Sequence, residues 1–124
     1  MRFAYQNNDK KLLNFVENTL QKIAFGGVFD QINGGFSRYS VDKKWHIPHF
    51  EKMLYDNAQL ISLYVKGYQL TKKDTYKDVV FETLEFVKNE LTSSEGMFYS
   101  SLDADSYNKE NKPKEGAYYT WEKE

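Results

Sequence analysis

The chain has 124 residues, with 17 Lys and Arg set against 18 Asp and Glu for a net charge of −1. Hydrophobic residues at 40% and charged residues at 28% describe a globular chain with a modest core rather than a disordered one. There is no basic stripe for nucleic-acid phosphates and no Cys for disulfides, thiol catalysis or thiolate metal sites. No apolar run approaches the roughly 18 residues of a membrane span.

The start, Met1-Arg2-Phe3-Ala4-Tyr5, has no apolar signal-peptide centre, so a soluble cytoplasmic protein is expected. The first predicted helix runs from about Asp9 to Phe25. Leu12, Leu13, Val16, Leu20, Ile23 and Ala24 share one stripe, Asp9 serves as N-cap, and Gly26-Gly27 ends the helix. From Gly26 to about Ile47 the chain reads as a long irregular loop holding Gly26, Gly27, Gly34 and Gly35. Loops of that length in compact domains are usually functional.

A second helix is predicted to start near Pro48 and continue to about Leu70. Its apolar face holds Phe50, Met53, Leu54, Leu60, Ile61, Tyr64, Val65 and Tyr68, with Asn57 in the middle. A third is predicted from about Asp74 to Leu91, with Tyr76, Val79, Val80, Leu84, Val87 and Leu91 as its stripe. The short Thr71-Lys72-Lys73 link makes the two an antiparallel helical hairpin. Met97 to Ser101 and Ala117 to Trp121 read as short strands, joined through the polar segment Asp103 to Gly116 as a long hairpin. Three such helices could form a small bundle. The long loop and the last strand, which ends in Glu122-Lys123-Glu124 without a cap, instead predict a piece of something larger.

The chemistry-bearing residues concentrate between Asp30 and Asn57. His46 and His49 flank Ile47-Pro48, and both can act as acid or base near neutral pH. As a metal motif the pair lacks a third ligand at a standard spacing, so neither metal nor cofactor is expected. For His49 the alternative is a helix-start histidine satisfying backbone groups or an acid.

Glu51, four positions before Tyr55, is a general acid or base if that side of the helix faces a cavity, and a solvated residue otherwise. Asp56 shares a side of the predicted helix with His49, which it could orient only through an intermediary, and otherwise is solvated or pairs with Lys52. Arg38 either clamps a hydroxyl-rich or anionic ligand or pairs with Asp30 or Asp42 to hold the loop. Tyr39 and Trp45 are candidates to stack on a sugar ring, with core packing the favoured reading for Trp45. Asn57 is expected to tie its helix to a neighbouring backbone. Asp103 and Asp105 lack the spacing of a calcium loop and are read as loop caps.

Two stretches carry a resemblance: Gly-Gly-Val-Phe-Asp-Gln-Ile-Asn-Gly-Gly-Phe-Ser-Arg-Tyr-Ser-Val-Asp, and Trp-His-Ile-Pro-His-Phe-Glu-Lys-Met-Leu-Tyr-Asp-Asn-Ala-Gln-Leu. With the later Phe-Tyr-Ser-Ser-Leu-Asp-Ala-Asp-Ser and Gly-Ala-Tyr-Tyr-Thr-Trp, the chain resembles the spermatogenesis-associated protein 20 and YyaL-like family over about residues 20 to 121. The resemblance implies a mainly α fold of antiparallel helical hairpins, the early part of a six-hairpin (α/α)6 toroid of glycosidase-like type. A short β-hairpin is expected near the C-terminus. Residues 1–124 would form one partial domain, without the thioredoxin-like domain typical of the family.

By the same resemblance the function is carbohydrate processing of epimerase or glycosidase type, with activity confined to a longer protein. The candidate catalytic residues are His49, Glu51, Asp56 and Asp30, and the candidate substrate contacts are Arg38, Tyr39, Trp45 and Tyr55. The alternative is a non-catalytic docking module beside a thioredoxin-like domain. The expected partners are a carbohydrate, that redox domain and further copies of the chain through exposed apolar surface, with neither nucleic acid nor membrane among them.

Overall fold

A computed structural model describes residues 1–121; the Glu122-Lys123-Glu124 end lies outside the described residues. It is mainly helical, with short two-stranded antiparallel sheets between and after the helices. A short helix α1 (Arg2–Gln6), not foreseen in the sequence, precedes α2 (Lys10–Phe25). The Asp9 side chain caps α2 by accepting the Leu12 N–H at 2.9 Å, and Gly26 ends it. Among the described residues no helix is long and apolar enough to cross a membrane.

Helices α3 (Leu54–Thr71) and α4 (Asp74–Glu90) form the expected antiparallel hairpin, turned by Lys72 in the left-handed conformation. They approach closely because Gly67 of α3 leaves room for the Tyr76 ring of α4. Leu20 and Ala24 of α2 pack against this pair, together with Tyr64, Tyr76, Val79 and Val80. The buried Tyr64 hydroxyl donates to the Leu20 carbonyl at 2.7 Å, so a polar tip inside the core is satisfied. On α4 the inward face holds Thr83 and Phe86, whereas Leu84, expected in the stripe, is exposed.

The segment from Gly26 to Met53 is more ordered than its glycines suggested. Val28, Phe29 and Phe36 belong to the core, and burying a side chain such as Phe36 contributes about 1.5–3 kcal/mol. Phe29 and Phe36 bridge across a turn in which Gly34 and Gly35 take φ of 72° and 79°. That turn brings Gly35 flush against the Phe86 ring, where a Cβ has no space.

The second predicted helix starts six residues late. Pro48 and His49 instead form strand β2 (Pro48–His49), antiparallel to β1 (Tyr39–Ser40). The flanking bonds Arg38 N–H to Glu51 O at 2.9 Å and Val41 N–H to Ile47 O at 2.9 Å extend the ladder. Proline is tolerated in a two-stranded ribbon because one side of each strand needs no donor. β3 (Lys52–Met53) then pairs with β4 (Ser101–Leu102), and only after it does α3 begin.

The C-terminal hairpin is formed by residues read as its loop. β5 (Asp105–Tyr107) pairs with β6 (Pro113–Glu115), and the expected strand Ala117 to Trp121 opens with a 3-10 turn over Ala117–Tyr119. Gly116 in the left-handed region sends the chain into that turn instead of onward as a strand. Of the expected strand from Met97 to Ser101, only the Phe98 bridge to Thr92 and the start of β4 are present. Asp103 caps the turn before β5 by accepting the Asp105 N–H at 2.9 Å, as expected of a loop-end acid.

Candidate functional site

The β1–β2 ribbon and the first turn of α3 bring six of the eight nominated side chains together. Arg38 lies at the hub. It donates through Nη1 to Glu51 Oε2 at 3.2 Å and through Nη2 to the Tyr55 hydroxyl at 2.9 Å, and its Nε lies 4.0 Å from Asp56 Oδ2. Glu51 and Tyr55 meet through this guanidinium and not as neighbours on one helix, since Glu51 precedes α3. Arg38 pairs with neither Asp30 nor Asp42.

His49 sits on β2, directly opposite Tyr39, whose ring stacks on the imidazole at 5.2 Å with 26° between planes. Its Nε2 lies 3.7 Å from Glu51 Oε2. Its Nδ1 lies 2.7 Å from Glu115 Oε1, the same oxygen that accepts the Phe50 N–H at 3.3 Å. The hydrogen bond with His49, reinforced by the Phe50 N–H, holds the Glu115 carboxyl below the usual range. The result is a chain of groups running Glu115, His49, Glu51, Arg38, Tyr55, with Asp56 beside the arginine.

Asp56 pairs with Arg38 only loosely and makes no bond to Lys52. Its Oδ2 has no hydrogen-bond partner among the described residues. Burial raises its carboxyl above the usual range, partly offset by Arg38 and reinforced by the charge of Glu51. Asp56, Arg38, Tyr39 and Trp45 line an open depression of about 1000 Å³, completed by residues of α3 such as Gln59 and Lys66. His49 and Glu51 are not part of that lining, although they contact Tyr39 and Arg38, which are. Trp45 packs against the hydrophobic core, the reading favoured for it, and also edges the depression.

Asp30 belongs elsewhere. Its Oδ1 accepts the N–H groups of Ile32 and Asn33 at 3.0 Å each, and its Oδ2 accepts from Lys52 Nζ at 2.8 Å. Burial pushes its carboxyl up, but Lys52 and the two N–H groups outweigh that and leave it lowered. Lys52 is 1% exposed, donates also to the Gly34 carbonyl at 3.0 Å, and lies 4.6 Å and 4.8 Å from the Phe86 and Tyr119 ring centroids. Burial lowers its amine. Asp30 also edges a second cleft of about 460 Å³ walled by Phe29, Phe50, Tyr118, Tyr119 and Trp121.

His46 also lies apart from the cluster. Its backbone N–H is one of several donors to Asp42, which organises the ribbon's tip by accepting also from Ser40, Lys44 and Ile47. Asn57 has the structural role expected of it. It accepts the Phe36 N–H at 2.7 Å and donates to the Phe36 and Met53 carbonyls at 3.1 and 2.8 Å, locking the glycine turn to α3.

Two residues escaped the sequence reading. Lys52 sat inside the densest motif but looked like a helix-surface lysine. Glu115 contacts a residue 66 positions away, and the only signal for it was the Gly-Ala-Tyr-Tyr-Thr-Trp run that follows it.

No family model matches the chain. It is 49% identical over 105 residues to spermatogenesis-associated protein 20 of Homo sapiens, an alignment covering 84% of this chain and 13% of the human protein. The same protein of Mus musculus matches at 49% over the same share. An uncharacterized protein of Caenorhabditis elegans is 42% identical over 131 residues, covering 98% of this chain and 18% of that protein. The chain is thus homologous to spermatogenesis-associated protein 20 and spans less than one fifth of the length of these relatives.

Proposed function

From this homology to spermatogenesis-associated protein 20, we propose that the chain supplies one wall of a sugar-binding cleft in a carbohydrate-processing protein. In this reading α3 and α4 are one hairpin of an (α/α)6 toroid, residues 1–124 are its early part, and the β1–β2 ribbon faces its hollow. The carrying observation is the convergence of Arg38, Tyr39 and Asp56 on one open depression, with Glu51 bonded to Arg38 and His49 stacked on Tyr39. Sugars present many hydroxyl groups and flat C–H faces, which call for fixed polar partners interleaved with rings. His49 and Glu51 serve as proton-transfer groups for epimerisation or hydrolysis, and Asp56 adds a carboxyl to the wall of the depression. The site works in a cytoplasmic protein and needs no cofactor.

Full-length spermatogenesis-associated protein 20, screened with neutral mono- and disaccharides by thermal shift, is expected to be stabilised by a subset of them. Alanine at the position matching Arg38 removes the shift. No stabilisation by any sugar would end the carbohydrate reading.

A second reading rests on the rings left bare: Phe15, Phe25, Phe81 and Phe98 are each more than 60% exposed. They suit a docking module for other domains, a thioredoxin-like domain among them, or for further copies of the chain. Concentration-dependent light scattering of the 124-residue chain tests the last; a strictly monomeric profile at high concentration counts against it.

A further inference from the structure

We propose that Glu115 is a positioning residue for His49, holding the neutral imidazole as the Nδ1–H tautomer and leaving Nε2 as the open base. The role of base rests on the carbohydrate reading, whereas the tautomer stands on geometry alone. An ionised carboxylate only accepts hydrogen bonds, so a 2.7 Å contact to Nδ1 places the proton on that nitrogen. The same oxygen is fixed from a second side by the Phe50 N–H. At the other end of the ring, Nε2 is 3.7 Å from Glu51 Oε2, beyond hydrogen-bond reach, and that oxygen already accepts from Arg38. Among the described residues Nε2 therefore has a carboxylate nearby but no hydrogen-bond partner.

The arrangement is held in place by backbone structure on both sides. Glu115 is the last residue of β6, in register with Asp105. Gly116 follows in the left-handed region, with the Phe50 ring occupying the space a Cβ would take. Phe50 in turn stacks on Tyr119 at 5.7 Å with 10° between planes, so the residue after His49 is clamped to the turn after Glu115. Tyr39 covers one face of the imidazole. The groups facing His49 are Glu115 from β6, Tyr39 from β1 and Glu51 with its Arg38 partner. Protonation of Nε2 places the resulting imidazolium between the carboxylates of Glu115 and Glu51. A carboxylate behind a histidine is a recurrent way to fix which nitrogen reacts.

The test reads imidazole ¹⁵N resonances in the 124-residue chain. His46 provides the comparison, since among the described residues its ring makes no hydrogen bond, and His46→Gln assigns the two sets. At a pH where both rings are neutral, His49 is expected to show a protonated Nδ1 and an unprotonated Nε2, while His46 shows the mixture of a free imidazole. Glu115→Gln, which keeps an acceptor oxygen, preserves the His49 pattern. Glu115→Ala shifts it to the His46 mixture, with the amide spectrum elsewhere unchanged.

A wild-type His49 indistinguishable from His46 overturns the proposal, and so does an Ala variant that keeps the single tautomer. Should Glu115→Ala fail to fold, the wild type and Glu115→Gln still decide. A sugar screen without any response, beside a fixed His49 tautomer, removes the carbohydrate reading and with it the role of base, while the positioning by Glu115 remains.

Discussion

Lys52 donates to Asp30 across 22 positions at 2.8 Å, from a side chain that is 1% exposed. This ion pair bolts the glycine turn to the strand that leads into α3. Removing one partner of a buried pair strands the other charge and typically costs about 3–5 kcal/mol. Lys52→Met is expected to lose stability in that range by urea unfolding, and the double change Lys52→Met with Asp30→Asn to recover a large part of it. A single variant as stable as the parent would show that the pair contributes nothing.

Asn57 makes a second tie, from the glycine turn to α3 itself. Asn57→Ala leaves the Phe36 N–H without its acceptor in the core, and each buried group so stranded costs about 1–3 kcal/mol. The expected loss is about 2–3 kcal/mol, seen as a lower urea midpoint with an unchanged slope. Asn57→Asp keeps the acceptor but loses the donors to Phe36 and Met53 and buries a charge, so it is expected to be no better than Ala.

Two glycines with similar backbone angles separate strain from packing. Gly35 at φ 79° has the Phe86 ring where a methyl would go, whereas Gly96 at φ 81° has nothing within 4 Å. Gly96→Ala should cost about 1–2 kcal/mol, the left-handed penalty alone. Gly35→Ala adds an overlap of about 1–3 kcal/mol. Thermal midpoints for the pair should differ in that order, and equal midpoints would refute the packing argument.

Asp42 provides a pH test. The Ile47 N–H first, then the Ser40 hydroxyl and the N–H groups of His46 and Lys44, lower its carboxyl from 3.8 to about 2, against a smaller opposing effect of burial. Between those values the unfolded chain binds more protons than the folded one, so stability falls as pH falls. The contribution is complete above 3.8 and is lost as pH drops through about 2. A carboxyl ¹³C titration should place the Asp42 midpoint near 2, with the His46 and Ile47 amide signals moving in step. A midpoint near 3.8 would mean that the side-chain-centred turn does not form.

The helices were legible because their signals are local. Asp9, Gly26-Gly27 and the Thr71-Lys72-Lys73 link act within one or two turns of their own positions. Pro48 misled because proline suits the first turn of a helix and an unpaired strand side equally well, and the choice was made by the distant partner Tyr39–Ser40. The aromatic run after Gly116 carries strand propensity, yet one left-handed residue redirected it.

In the site, Arg38, Tyr39, His49, Glu51, Tyr55 and Asp56 were visible as a cluster of suitable residue types. Their wiring was not, because Glu51 and Tyr55 meet only through a guanidinium from another segment. Asp30 was grouped with them on proximity in sequence. The structure commits it to Lys52, a partnership that residue type alone does not reveal.

The 66-position separation between His49 and Glu115 bears on how the molecule is made. Synthesis makes the β1–β2 ribbon, α3 and α4 before it reaches β6. During that interval the imidazole lacks its carboxylate and Phe50 has no Tyr119 to lie on, so helical pairing precedes completion of the histidine's surroundings. A released chain truncated before Pro113 would present the hairpin of helices beside an unfinished pocket.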